Sequence, residues 1–178
     1  MSTMGAEFAI REAKFDDAPA IARVSYLTWL HAYRGILPDR ELDALNVESV
    51  TDKWVQILSL AIPKSGTFVA INKKSIIAYS RFYPSVDSDD DPSKVATIGS
   101  IYVHPDFQHQ GVAHELMVEI LKVTKSYGFT ELTLHVLTAN ERARKFYESL
   151  SWEQDVDAVI EKSDGETVPK VRYRRSLL

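Results

Sequence analysis

Cysteine is absent from the chain. Its absence excludes disulfides, thiolate nucleophiles and cysteine-ligated zinc together, and it fits a reducing compartment. Long apolar runs are missing too, since none approaches the ~20 residues needed to span a bilayer. The first residues, MSTMGAEFAIREAKFDD, hold neither a basic leader nor an apolar stretch of signal-peptide length. A cytoplasmic protein with no membrane partner is therefore expected. Excess positive charge is also lacking. The net charge is -4 and the pI about 5.7, so no broad basic face is available for a polyanion, and nucleic acid is not expected as a partner. No G-x-G-x-x-G follows the first strand-like segment, which speaks against a dinucleotide-dependent oxidoreductase. There is no internal repeat and no long linker.

What is present is ordinary globular composition. The 178 residues are 45% hydrophobic and 26% charged, enough for one packed domain and short for two. A single domain over residues 1–178 is expected. Residues 8–14, FAIREAK, alternate as a half-buried strand does. Asp16 or Asp17 can cap the helix that follows, with Pro19 tolerated in its first turn. Its buried stripe is expected at Ala18, Ile21, Ala22, Ser25, Trp29, Ala32 and Tyr33, and Gly35 and Pro38 end it. A second helical region over residues 39–60 breaks near Asn46. Two β-rich runs, residues 67–71 and 76–82, flank a polar turn at 72–75 and predict a hairpin.

The acidic run PSVDSDDDPSK lacks the glycine and distal glutamate of an EF-hand loop and reads as a solvated turn. Residues 95–104 form the strongest strand pattern. Between 109 and 127 the period becomes helical, with Ala113, Leu116, Met117, Ile120, Leu121 and Thr124 on one face and Gly128 placed to stop it. A strand over 130–137, a short amphipathic helix and two strands around Ser163-Asp164-Gly165 complete the chain. This order describes an α/β (α+β) fold with a mixed sheet. Hairpins imply antiparallel neighbours, and the strand-helix-strand unit over 95–137 implies a parallel pair.

The turn YVHPDFQHQGVAHELM joins the strongest strand to the strongest helix. The first turn of a helix carries free N–H groups and partial positive charge, which suit a phosphate where side chains are small, as at Gly111 and Ala113. Taken alone, such a turn more often serves packing. However, Gln108-x-x-Gly111-x-Ala113 resembles the acetyl-CoA signature of the GNAT superfamily of N-acetyltransferases. Downstream, LHVLTANERARKFYESLSW resembles that family's later motif, here Asn140, Phe146-Tyr147 and Ser151-Trp152. The early segment TWLHAYRGILPDRELDAL is similar to the first helices of bacterial members, so the resemblance covers nearly the whole chain.

The resemblance implies a mostly antiparallel sheet of six to seven strands with a central parallel pair, flanked by about four helices. The fourth and fifth strands splay, and the pantetheine arm of acetyl-CoA, the co-substrate, pairs with backbone at Ile101, Tyr102 and Val103. A bulge in the fourth strand often frees an N–H to polarise the thioester carbonyl. The pyrophosphate rests on the turn formed by Gln108, His109, Gln110, Gly111, Val112 and Ala113, and Asn140 orients the cofactor from the other side. Tyr147 matches the general acid that protonates the departing thiolate. The acyl group passes directly to an amine, with no covalent enzyme intermediate.

Two glycines of the family pattern are replaced, by His109 and by Ser151. Thr97 stands where many members carry a basic glutamate, and a threonine cannot accept a proton near neutrality. His31, His135 and Glu41 remain candidates for the base, and a non-catalytic acyl-CoA-binding domain remains an alternative. No metal is expected, because His104, His109 and His114 lack the spacing that grips zinc. The acceptor amine is selected in this family by segments that here are residues 29–37 and 163–169. Trp29, His31, Tyr33 and Arg34 are pocket candidates, and the acidic run would suit a cationic acceptor if it reached the cleft. The family often forms homodimers.

Overall fold

Strand β1 (Ala9–Glu12) opens the fold in a computed structural model that describes residues 8–161 and 167–178. A single 3-10 turn, Phe15–Asp17, leads into helix α1 (Ala18–Tyr33). Asp17 precedes the helix as expected, but its carboxylate does not cap it. That carboxylate accepts two hydrogen bonds from Arg11, at 2.6 and 2.9 Å, and one from the Lys14 N–H at 2.7 Å. Two helices follow, α2 (Asp39–Asp43) and α3 (Val47–Ser59). The break between them falls at Asn46, whose side-chain oxygen accepts the Ser49 N–H at 2.8 Å. The expected region is therefore two helices, and among the described residues five α-helices stand where about four were expected.

Strands β2 (Gly66–Asn72) and β3 (Ser75–Pro84) form the hairpin, with Lys73 at φ 55° in its turn. The chain continues through β4 (Val95–Val103), α4 (Val112–Ser126), β5 (Glu131–Leu137), α5 (Glu141–Ser149), β6 (Glu153–Glu161) and β7 (Thr167–Ser176). The expected turn at Ser163-Asp164-Gly165 lies outside the described residues. All seven strands join one sheet in the order β1-β2-β3-β4-β5-β7-β6. Every pairing is antiparallel except β4 with β5, which helix α4 connects. Among the described residues no helix is long and apolar enough to cross a membrane.

The sheet is covered on both faces. Leu116, Met117 and Ile120 of α4 pack with Ala78, Phe82, Ile98 and Leu134. Ile21 and Ala22 of α1 and Trp54 of α3 pack with Val69 and Tyr79 on the other face. Each fully buried aliphatic side chain contributes about 1.5–3 kcal/mol. Along α1 the buried places after Ser25 pass to Thr28, with Val24 also buried. Trp29, Ala32 and Tyr33, expected in the stripe, are only half-buried. These last turns overhang a gap in the sheet rather than its apolar surface.

The acidic run is not a free, solvated turn. Arg172 of β7 donates to both oxygens of Asp89 (2.7 and 2.6 Å), to Asp87 at 3.2 Å and to Asp155 at 2.8 Å. Arg174 donates to Asp90 (2.7 Å), Glu131 (2.8 Å) and Asp155 (2.9 Å). The Asp90 side chain is only 2% exposed and also accepts the Ser85 hydroxyl at 2.6 Å. The Asp87, Asp89 and Asp90 carboxylates lie within 4.8 Å of one another. The two guanidiniums supply the compensating charge and strap the β3–β4 loop across β5 and β7.

Candidate active site

A gap opens in the middle of the sheet. The β4–β5 ladder runs from Val95↔Glu131 to Ile98↔Leu134 and stops there. Beyond it β4 follows β3 while β5 follows β7, so the strands part as expected. The divergence begins at a bulge. Ser100 pairs with Arg81 and Ile98 with Phe82, so Gly99 has no partner on β3. A Cβ at Gly99 would come within 2.5 Å of the Tyr83 ring, which is why only glycine fits there. The gap widens into a cleft of about 1110 Å³, bounded by α1, β4, the turn before α4, β5 and α5.

One wall is the turn. The chain leaves β4 through the 3-10 turn Pro105–Phe107 and enters α4 only at Val112, not at His109 as the periodicity suggested. His109 (φ 61°) and Gly111 (φ 80°) both adopt left-handed backbone, which no helix tolerates. Gly111 is the residue before the helix, and no atom lies within 4 Å of where its Cβ would be. The first intrahelical bond runs from Glu115 N–H to the Gly111 carbonyl, at 3.1 Å. The N–H groups of Val112, Ala113 and His114 therefore precede the helical ladder, at the positive end of a 15-residue helix.

The expected binding residues divide. Gln108, His109, Gly111, Val112, Ala113, Asn140, Ile101, Tyr102 and Val103 all line the cleft, but Gln110 does not. The Gln110 amide instead donates to the Asp106 carbonyl at 3.2 Å. Gln108 lines the cleft with its side chain already engaged. It donates to the Val103 carbonyl at 3.1 Å and accepts from Arg142 at 2.7 Å. The same Val103 carbonyl accepts the Thr28 hydroxyl at 3.2 Å, so it is committed twice. Asn140 caps α5, its side-chain oxygen accepting the Ala143 N–H at 3.2 Å. Arg142, in the first turn of α5, also lies 3.0 Å from Nε2 of His109. The imidazole thus rests beside a guanidinium that bridges the two walls of the cleft.

Aromatic residues close the inner end. Tyr147 on α5 is 9% exposed, and its ring packs against Phe146, Trp152 and Tyr173. Burial, with a smaller contribution from Tyr33, pushes its phenol well above the ordinary tyrosine value. Tyr33 and Tyr102 meet hydroxyl to hydroxyl at 3.3 Å, and Tyr102 stacks edge-on against Tyr79. Burial raises the pKa of all three of these phenols as well. Trp29 and Tyr33, in edge-to-face contact 4.9 Å apart, line the α1 side together with His31. Arg34 does not line the cleft, being drawn out to Asp39 and Asp43. Thr97, at the position of the missing glutamate, is buried with its hydroxyl 2.9 Å from that of Thr133. It takes no part in the cleft.

Among the lining residues that escaped the reading of the sequence are Gly99, Arg142 and Lys170. A glycine inside a strand pattern is the usual sign of a bulge, and Gly99 in ATIGSIYV carried that sign. Arg142 sits two residues after the capping Asn140, where the helix terminus aims it back at the turn. Lys170 carried no local signal. Its place depends on β7 pairing with β5, Leu137↔Lys170.

Known proteins resemble this chain in sequence and in fold. Residues 27–152 match the Acetyltransferase (GNAT) family. YuaI of Bacillus subtilis, named an uncharacterized N-acetyltransferase, is 30% identical over 146 residues, which cover 82% of this chain and 80% of that protein. A probable N-acetyltransferase of Mycobacterium tuberculosis is 27% identical over 169 residues, covering 93% and 91%. The solved structure of yncA from Salmonella typhimurium, determined with its cofactor acetyl-CoA, superposes with a TM-score of 0.70 at 19% identity, over 97% of this chain and 95% of that one.

Proposed function

The chain belongs to the GNAT family of acetyltransferases and is an acyltransferase, and on that premise we propose that it carries the acetyl group of acetyl-CoA directly to a primary amine within a ternary complex. Residues 1–178 act as one acetyltransferase domain. The observation that carries this reading is the cleft itself, where the parted strands β4 and β5, the small left-handed turn before α4 and a buried tyrosine face one cavity.

The residues present fit acetyl-CoA. The N–H groups of Val112, Ala113 and His114 and the open space at Gly111 suit the pyrophosphate. Arg142 adds a cation beside them. Backbone at Ile101 and Tyr102, which lacks a β5 partner, takes the pantetheine, whereas the Val103 carbonyl is occupied. Asn140 offers its amide nitrogen from the opposite wall. When bound, acetyl-CoA supplies an activated thioester. The Gly99 bulge, with no partner on β3, would supply the backbone N–H that polarises the thioester carbonyl. Tyr147 is the general acid. Its raised pKa keeps the phenol protonated through the neutral range, ready to donate to the thiolate as the C–S bond breaks. Trp29 and Tyr33 form the acceptor side of the pocket.

The test is acetyl-CoA-dependent thiol release across a panel of spermidine, kanamycin, lysine amide and a tetrapeptide with a free N-terminus. Release with at least one amine is expected. The threonine at position 97 favours one rival, a domain that binds acyl-CoA without turnover. Tight acetyl-CoA binding by calorimetry with no release from any amine would establish that rival instead.

A further inference from the structure

The proposed transfer needs a proton acceptor for the amine, and Thr97 is sealed away with Thr133. We propose that His135, with Asp87 beside it, is the catalytic base that deprotonates the bound ammonium group, an inference that rests on the reading above.

The position of His135 follows from the sheet. Leu134 is the last β5 residue paired with β4, so His135 is the first residue of β5 inside the gap, and it lines the cleft. Alternation along the strand puts Thr133 and His135 on one face and Leu132, Leu134 and Val136 on the other. The latter three belong to the core that also holds Tyr147 and Tyr173. Acid and base therefore stand on opposite faces of the sheet at the same opening. His135 also shares the face of Thr97. It stands two residues beyond Thr133, the Thr97 partner, or about 7 Å along the strand toward the opening. A base on β5 thus replaces one on β4 without leaving the acceptor side.

The charges around His135 come from the loop between β3 and β4 and from β7. Its Nε2 lies 3.3 Å from Oδ2 of Asp87. Asp90 of the same loop and Lys170 and Arg172 of β7 act on it electrostatically, Arg172 lying directly opposite in the ladder. His31 and Glu41 line the acceptor side of the same cleft. The negative charge of Asp87 beside Nε2 favours the proton on that nitrogen and leaves Nδ1 as the acceptor. Asp87 is in turn fixed by Arg172, which grips Asp89 with both terminal nitrogens. The arginine strap thereby sets the position of the dyad. Burial and then Lys170 lower the pKa of His135, against the opposing pull of Asp87, so the ring is neutral and able to accept at pH 7. His31, by contrast, is exposed on the rim.

The protons balance. The ammonium gives one proton to Nδ1 of His135, which passes it to solvent. The free amine then forms the C–N bond, the C–S bond breaks, and Tyr147 gives its proton to sulfur. The nitrogen loses its second proton to solvent, and Tyr147 recovers one from solvent. The net reaction releases one proton per amide formed.

The experiment compares wild type with His135→Gln and Asp87→Asn, using whichever amine of the panel turns over fastest. The pH dependence of kcat/KM and the calorimetric Kd for acetyl-CoA are read together. In the wild type, kcat/KM should rise to a plateau below the ordinary histidine pKa of about 6.5. In His135→Gln it should fall roughly 100-fold at pH 7, climb about tenfold per pH unit toward the amine pKa, and leave the Kd for acetyl-CoA within about twofold. Asp87→Asn should lose less and move the acid limb. As a check that needs no turnover, nitrogen NMR should show the Nε2–H tautomer of His135 in the wild type. A His135→Gln variant that binds acetyl-CoA and keeps the wild-type rate and plateau would overturn the base assignment while leaving the transfer intact. So would an Nδ1–H tautomer. Binding without release in the wild type would instead overturn the transfer reading, and the base with it.

Discussion

Ser151 links α5 to β6 with φ 61°, closing the helix end through its own N–H to Glu148 and the Trp152 N–H to the Tyr147 carbonyl, both at 3.1 Å. Only glycine adopts that conformation freely. Relief of the left-handed penalty of about 1–2 kcal/mol, less the entropic cost of glycine of about 0.5–1 kcal/mol, means Ser151→Gly should raise stability by about 0.5–1 kcal/mol in urea unfolding, with no effect on acetyl-CoA binding. His109 has the same φ but a different balance, because its ring meets Arg142. Arg142→Ala removes the cation nearest the turn and should raise the Kd for acetyl-CoA roughly tenfold, the effect of one charge-assisted contact, while kcat changes little. Both glycine replacements were legible in the sequence as departures from a pattern. Arg142 was not, since its partners on the turn lie more than 30 residues away.

At the scale of the elements, the gap depends on where β4 and β5 stop pairing, and Gly99 marks that place. Gly99→Ala would drive a Cβ into the Tyr83 ring. Forced repacking of this kind costs about 1–3 kcal/mol, so the thermal midpoint should fall, and kcat should fall with it as the bulge relaxes. Unchanged values for both would mean that the bulge is incidental. Periodicity identified strands such as β4 and β5 and helices such as α1 and α4, because patterns of two and of 3.6 residues are local properties, whereas α2 and α3 were read as one region broken near Asn46. It could not tell that α1 outruns the sheet, and so it assigned Trp29 and Tyr33 to the core. An aromatic stripe looks the same in sequence whether it covers a sheet or overhangs a cleft.

At the scale of the molecule, the straps from Arg172 and Arg174 join the β3–β4 loop to β5, β6 and β7. Removing Arg172, whose side chain is 6% exposed, takes a cation from Asp87, Asp89 and Asp155, of which Asp155 keeps Arg174. Arg172→Ala should cost about 2 kcal/mol, less than a fully buried pair because the carboxylates regain water. The same network sets the acid limit. Asp89 is held at about 2, below its ordinary 3.8, chiefly by the Arg172 hydrogen bonds. Its contribution is complete above pH 3.8 and is lost as the pH falls through about 2. Asp17, lowered by Arg11, acts in the same direction. Urea midpoints measured from pH 5 downward should therefore decline in that window, and less steeply in Asp89→Asn. The acidic run read as solvated because its partners stand more than 80 residues downstream, where no local pattern announces them.

The most direct measurement is thiol release by Tyr147→Phe beside the wild type, with the acetyl-CoA Kd measured on the same samples. The ring and its packing stay, and only the hydroxyl goes. A loss of about 100-fold in kcat with an unchanged Kd is the predicted result. Full kcat in a variant that binds acetyl-CoA as the wild type does would contradict direct transfer with Tyr147 as the acid.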